Sequence, residues 1–82
     1  MDLVALTETI VKKIVSDPES VSVKEFETEE EDTVLIEVMI SNDDLGKVIG
    51  KEGRIINAIR TIVQASSYID DNKRVKINVD SY

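Results

Sequence analysis

Gly50 and Gly53 stand three residues apart and enclose Lys51 and Glu52 between apolar segments. This is the stretch where residue type and spacing suggest contact chemistry. A glycine-bracketed turn lets the backbone come close to something outside the fold, because no Cβ stands in the way. Where such a turn feeds a helix, backbone N–H groups and the positive helix end suit a phosphate chain. Two familiar phosphate loops do not match. A Walker A loop needs four residues between its first glycine and Gly-Lys-Ser/Thr, whereas Gly46 to Gly50 leaves three and Glu52 follows Lys51. The dinucleotide fingerprint needs Gly-x-Gly directly after a strand, which is also missing. On spacing alone a tight interhelical turn, with glycine where φ is positive, remains an equal reading.

Catalysis is hard to place. The chain has no cysteine and no histidine, which removes thiolate chemistry, the usual zinc ligand sets and the acid/base residue of neutral pH. The remaining carboxylates sit in charge runs, so the expectation is no catalytic residue, no metal, no cofactor and no enzyme. The net charge of −7 argues against a polyanion partner until it is divided. Residues 1–45 carry three bases and thirteen acids; residues 46–82 carry seven bases and four acids. The positive half holds the glycine loop.

The elements that must position this loop follow from periodicity. Leu3, Leu6, Thr7, Ile10 and Ile14 recur at helical spacing behind Asp2, a capping residue, and predict a helix over 2–16 that Asp17-Pro18 stops. Val21 and Val23 start a strand in which Phe26 falls out of phase, which predicts a bulge or an early end. The acidic run 25–32 reads as a solvated strand end and hairpin loop. Thr33–Ile40 alternates cleanly, with Val34, Ile36, Val38 and Ile40 on one face. Ser41-Asn42-Asp43-Asp44 offers N-caps for a short helix through Leu45, Val48 and Ile49, which Gly50 ends as an αL terminator. A second helix is expected from about Arg54 to about Ser67, and Lys73–Val79 closes the chain as a strand. The order α-β-β-α-α-β makes the last connection a crossover, so the last strand lies parallel to the second. The fold class is α+β: a three-stranded mixed sheet with three helices on one face, in one domain spanning 1–82. With 82 residues, no basic leader and no long apolar run, neither a signal peptide nor a membrane span is expected, and the expected compartment is cytoplasmic.

Val48-Ile49-Gly50-Lys51-Glu52-Gly53-Arg54-Ile55-Ile56 resembles the signature of a KH domain, in which a GXXG loop clamps about four nucleotides of single-stranded nucleic acid. The element order resembles the type II form of that fold. Small size and the run Ala58-Ile59-Arg60-Thr61-Ile62-Val63 are similar to the single-domain bacterial KhpA-type RNA-binding proteins. The resemblance implies non-enzymatic binding of single-stranded RNA, with no cofactor. It also implies work as a homodimer or with a larger Jag/KhpB-type KH protein, as an RNA chaperone or post-transcriptional regulator tied to cell division or elongation. By position it assigns close phosphate approach to Gly50 and Gly53, with Lys51 and Glu52 at the tip. Positive potential falls to Lys47, Arg54 and Arg60, and an apolar floor to Val48, Ile49 and Ile56, facing the second strand around Val38–Ile40. For the apolar residues, ordinary core is an equal reading.

Glu52 departs from the base or neutral residue common at this loop tip, and the resemblance implies that the acidic run 25–32 occupies the hairpin loop on the far side of the groove, where it disfavours phosphate. Few aromatics are present to stack bases, a term worth about 1–3 kcal/mol per base where it operates. A lone domain is therefore expected to bind no tighter than micromolar, about −8 kcal/mol. The helix after the loop offers a remedy. Its apolar residues cover about 180°, more than the roughly 100° stripe that packing on one sheet requires. The excess edge, Ala58, Ile62 and Ala65, is the candidate surface for dimer or partner contact, and pairing raises avidity for RNA. The alternative is a KH-fold protein–protein adaptor with weak or vestigial RNA contact.

Overall fold

The computed structural model describes residues 2–82. Asp2 accepts the Ala5 N–H at 3.1 Å and opens α1 (Leu3–Ile14), which ends two residues earlier than expected. Val15 is already extended, and Pro18 starts a 3₁₀ turn over Pro18–Ser20. β1 (Ser22–Glu27) and β2 (Thr33–Ile40) form an antiparallel pair around the acidic loop. A 3₁₀ turn over Asn42–Asp44 leads into α2 (Leu45–Ile49), a second turn over Lys51–Gly53 leads into α3 (Arg54–Asp70), and β3 (Arg74–Ser81) follows. The α-β-β-α-α-β order is as expected.

The sheet order is β1-β2-β3, with β2 central. β3 runs parallel to β2, from Thr33↔Arg74 to Ile40↔Ser81, because two helices carry the chain back to the starting end of the sheet. One face of β2, Val34, Ile36, Val38 and Ile40, is buried together with Leu3, Val11, Val48, Ile56, Ile59, Val63 and Ile77. Each fully buried Val or Ile contributes about 1.5–3 kcal/mol relative to exposure. Thr7 is buried among them and gives its hydroxyl to the Leu3 carbonyl, so it costs no unpaired polar group.

The expected break at Phe26 is not there. Val23, Glu25 and Glu27 pair with Val38, Ile36 and Val34 without interruption. Paired residues share a face, so Phe26 goes with Leu35 to the side of the sheet that the helices leave open, where Phe26 is 45% exposed. A second correction concerns α3, which runs three residues past Ser67. Ser67 caps the following turn, with its hydroxyl donating to Lys73 O at 2.7 Å and the Asn72 N–H reaching Ser67 O at 2.7 Å. Tyr68 and Ile69 therefore stay helical.

Candidate nucleic-acid interface

α2 ends where the Gly50 N–H bonds Gly46 O, and the chain then makes three departures within four residues. Gly50 has φ 77° and ψ 175°, a region open to glycine alone, and not the αL terminator expected; the αL glycine is Gly53, at φ 76° and ψ 15°. Glu52 between them is also left-handed, at φ 57°. A Cβ on Gly50 would stand 2.6 Å from Ile55 Cγ1, whereas one on Gly53 would meet nothing closer than 3.7 Å. Gly50 is thus required by the fold, and Gly53 leaves open surface at the loop. Bonds from Gly53 N–H to Gly50 O and from Arg54 N–H to Lys51 O occupy two loop amides. A phosphate then has the Lys51 and Glu52 amides and the open side of Gly53 to approach.

The charges divide into free and engaged. Lys51 is exposed at the tip. Arg54 is exposed too, and Glu52 lies 3.8 Å from its guanidinium, an ion pair weakened by water. Lys47 is tethered: its ammonium donates to Ser16 Oγ and lies 3.6 Å from Asp44. Asp44 does not cap α2 as expected. It is 1% exposed and accepts the N–H groups of Ser16 at 2.9 Å and Asp17 at 3.1 Å. The Ser16 amide bond, with the Asp17 amide and Lys47 beside it, holds the Asp44 carboxyl below its ordinary value against the opposing effect of burial. These bonds, 27 and 28 residues apart in sequence, lock the exit of α1 to the start of α2.

The expected apolar floor is mostly core. Val48 and Ile56 are buried beneath the loop, and Ile49 is half-buried. Of the expected facing strand, the Val38 and Ile40 side chains are buried in the central strand between β1 and β3, while Glu37, Val38 and Met39 border an open groove with Arg60. The strand that stands free beside α3 is β3. Arg60 is held against it, with Nε and Nη2 donating to Ile77 O at 3.3 and 2.9 Å and Nη1 to Asn57 Oδ1 at 3.1 Å. Gln64, not singled out from the sequence, gives Nε2 to Lys73 O and takes the Val75 N–H on Oε1, both at 2.9 Å. Only its half-polar place on the α3 wheel hinted at this. An open groove of about 460 Å³ lies between Arg60, Thr61, Gln64 and Tyr68 of α3 and Arg74 and Val75 of β3.

Next to this groove on α3, Ala58, Ile62 and Ala65 are exposed, Ile62 by 49%, and Ala65 also lines the groove. Ile55 and Ile69 extend the row, at 38% and 81% exposure. The spacing 55, 58, 62, 65, 69 alternates three and four residues, the seam of paired helices. Ile69 lies beyond Ser67, where the sequence pattern fades, so periodicity does not place it in this row. Among the described residues no group of acids is arranged to hold a metal ion, and no helix is long and apolar enough to cross a membrane.

The family profile of the KhpA/KhpB KH domain matches residues 4–79. The RNA-binding protein KhpA of Clostridium perfringens is 46% identical over 74 residues, covering 90% of this chain and 95% of its own. KhpA of Oceanobacillus iheyensis is 47% identical over 75 residues, covering 92% and 96%, and KhpA of Thermotoga maritima is 38% identical over 74 residues, covering 90% and 93%. Among solved structures, Era from Aquifex aeolicus bound to GDP and aluminium fluoride superposes with a TM-score of 0.69 at 15% identity. Era in complex with MgGDPNP and a segment of 16S ribosomal RNA superposes equally well. In both cases 96% of this chain is covered and 29% of Era, a likeness of fold.

Proposed function

The chain belongs to the KhpA/KhpB KH-domain family, and from that premise we propose that it is a single KH domain that binds single-stranded RNA, without catalysis, along Gly50–Gly53. The observation that carries this reading is the loop itself. Two glycines and a left-handed Glu52 bring bare backbone to the surface at the head of α3, with Lys51 and Arg54 exposed beside it. Its relatives carry the name RNA-binding protein, which supports the same reading. Lys51 and Arg54 supply positive potential, Arg60 acts deeper in the groove, and Lys47 works from its tether. Val48, Ile49 and Ile56 support the loop from below.

The binding unit is a homodimer, or a pair with a larger Jag/KhpB-type KH protein, formed through Ala58, Ile62 and Ala65 with Ile55 and Ile69 at the ends of the row. Pairing offsets the weakness of one acidic domain. A cytoplasmic RNA chaperone or post-transcriptional regulator fits such binding, which is weak singly and strengthened by pairing. Replacing Lys51 and Glu52 together with aspartate tests the reading. Aspartate tolerates the left-handed conformation at 52, so the fold should hold by circular dichroism while RNA crosslinking is lost. Crosslinking at the original level refutes RNA binding through this loop. In the opposite direction, Glu52→Lys should tighten binding and steepen its dependence on salt, because one more phosphate counterion is released.

One observation favours a second reading, a protein–protein adaptor: Lys47 and Arg54 already have carboxylate partners. Partner capture that survives nuclease, together with no RNA binding by the isolated chain, would establish it in place of the first.

A further inference from the structure

The guanidinium of Arg60 is fixed before anything binds. It offers five N–H groups. Nε–H and one on Nη2 go to Ile77 O, and one on Nη1 goes to Asn57. One N–H on each terminal nitrogen is left, on an exposed side chain that three hydrogen bonds hold in place. Arg60 follows Gly53 by seven residues, or about 10 Å along the axis of α3 at 1.5 Å per residue. A strand with its phosphates on Gly50–Gly53 therefore brings bases, within one or two nucleotides, to the groove that Arg60 heads.

The same bonds change what the edge of β3 can read. Ile77 O and Lys73 O are carbonyls that a base amino group could donate to, and Arg60 and Gln64 already occupy them. The groove thus presents donors at Arg60 and has lost acceptors beside it. Adenine, which pairs through a donor next to an acceptor, is poorly matched there. Guanine, with O6 and N7 side by side as acceptors, matches a two-pronged arginine. A phosphate would satisfy the same donors, with Arg74 on the groove's other wall attracting it and Glu37 and Asp80, in a second groove that Arg60 borders on the open-sheet side, opposing it, so the base and phosphate contacts are separated by the Arg60→Lys arm of the test below.

We propose that Arg60 is a specificity-determining residue that selects guanine in the α3–β3 groove of the bound strand. The proposal rests on RNA binding through the glycine loop. The test measures fluorescence anisotropy of short oligouridine strands carrying two adjacent guanosines, two adenosines or two 7-deazaguanosines, against the full chain and against Arg60→Gln and Arg60→Lys. The wild type should prefer guanosine over adenosine by about 5- to 150-fold, the range for a bidentate arginine–guanine pair. 7-Deazaguanosine, which lacks N7, should forfeit most of that preference. Arg60→Gln can still donate to Ile77 O, so it should keep the fold, checked by urea unfolding, and bring the guanosine and adenosine strands level. Arg60→Lys should do the same while keeping its charge. A preference unchanged in Arg60→Gln, or no response to 7-deazaguanosine, overturns the assignment; so does a loss equal on all strands that Arg60→Lys restores, which would mark a phosphate contact. No binding of any strand by the wild type, with the fold intact, overturns the RNA reading along with it.

Discussion

Alanine at Gly50 and alanine at Gly53 are the same chemical change three residues apart, and the structure separates their effects. At Gly50 the new Cβ lies 2.6 Å from Ile55 Cγ1, 2.9 Å from Ile55 Cβ and 3.0 Å from Ile55 N. The last two atoms cannot swing away with a rotamer, so the first turn of α3 must shift. Overpacking of this kind costs about 1–3 kcal/mol. The backbone conformation, closed to L-residues, adds about 1–3 kcal/mol. At Gly53 the nearest atoms, Asn57 Nδ2 at 3.7 Å and Ile56 Cγ2 at 3.9 Å, are in ordinary contact, and the αL conformation costs about 1–2 kcal/mol. The entropy lost by the unfolded chain is the same for both and cancels. Gly50→Ala should therefore be less stable than Gly53→Ala by about 1–4 kcal/mol, a large part of the roughly 4–12 kcal/mol expected for a chain of this size. Urea denaturation followed by circular dichroism reads the difference, as a gap between midpoints of about 1–4 M at a slope near 1 kcal/mol/M. Equal midpoints would refute the steric account of Gly50. Gly53→Ala should lose RNA affinity while still folded, which assigns Gly53 to approach and Gly50 to architecture.

Gly46 is the converse case: it lies in α2, and a methyl added there would meet nothing within 4 Å, so Gly46→Ala should stabilise by about 0.5–1 kcal/mol, visible as a thermal midpoint raised by about 2–8 °C. For Asp44 the folded pKa lies below the ordinary 3.8, so its contribution is present above that value and is lost as pH falls through the lowered one. Asp44→Asn should be less stable at pH 7 and show a flatter decline of the urea midpoint between about pH 5 and pH 2; an unaltered pH profile would show that the Ser16 and Asp17 bonds contribute nothing. Ile62→Glu changes a side chain that is 49% exposed and should cost the fold no more than about 0.5 kcal/mol, yet sedimentation should show it monomeric where the wild type is paired. A wild type that sediments as a monomer at high micromolar concentration without a partner would sink the homodimer.

What could be read from the sequence was what local period controls. Thr33–Ile40 alternates strictly and is a strand with those bounds, because one face is fully buried and each inward position must be apolar. The loop glycines stood out because few other residues adopt their conformations. Phe26 misled because alternation cannot tell which face the helices will leave open. The end of α3 was hidden because Ser67 and Lys73 settle it through hydrogen bonds across a turn. The engaged states of Lys47, Asp44 and Arg60 depend largely on partners 17 to 31 residues away, and the local i,i+3 partners Asp44 and Asn57 do not by themselves reveal them.

The two margins of the sheet, finally, limit how copies of this chain can meet. The outer edge of β3 is occupied where Gln64 and Arg60 sit on residues 73, 75 and 77, in the places a further strand would take. The outer edge of β1 carries Lys24, Glu25 and Glu27 next to the acidic loop, so a second copy arriving there meets its own charge. Strand-to-strand addition, which can run on without limit, is obstructed on both sides. A pair formed through the α3 row has no such continuation: each copy spends its one helix face on the other, and the assembly is finished at two.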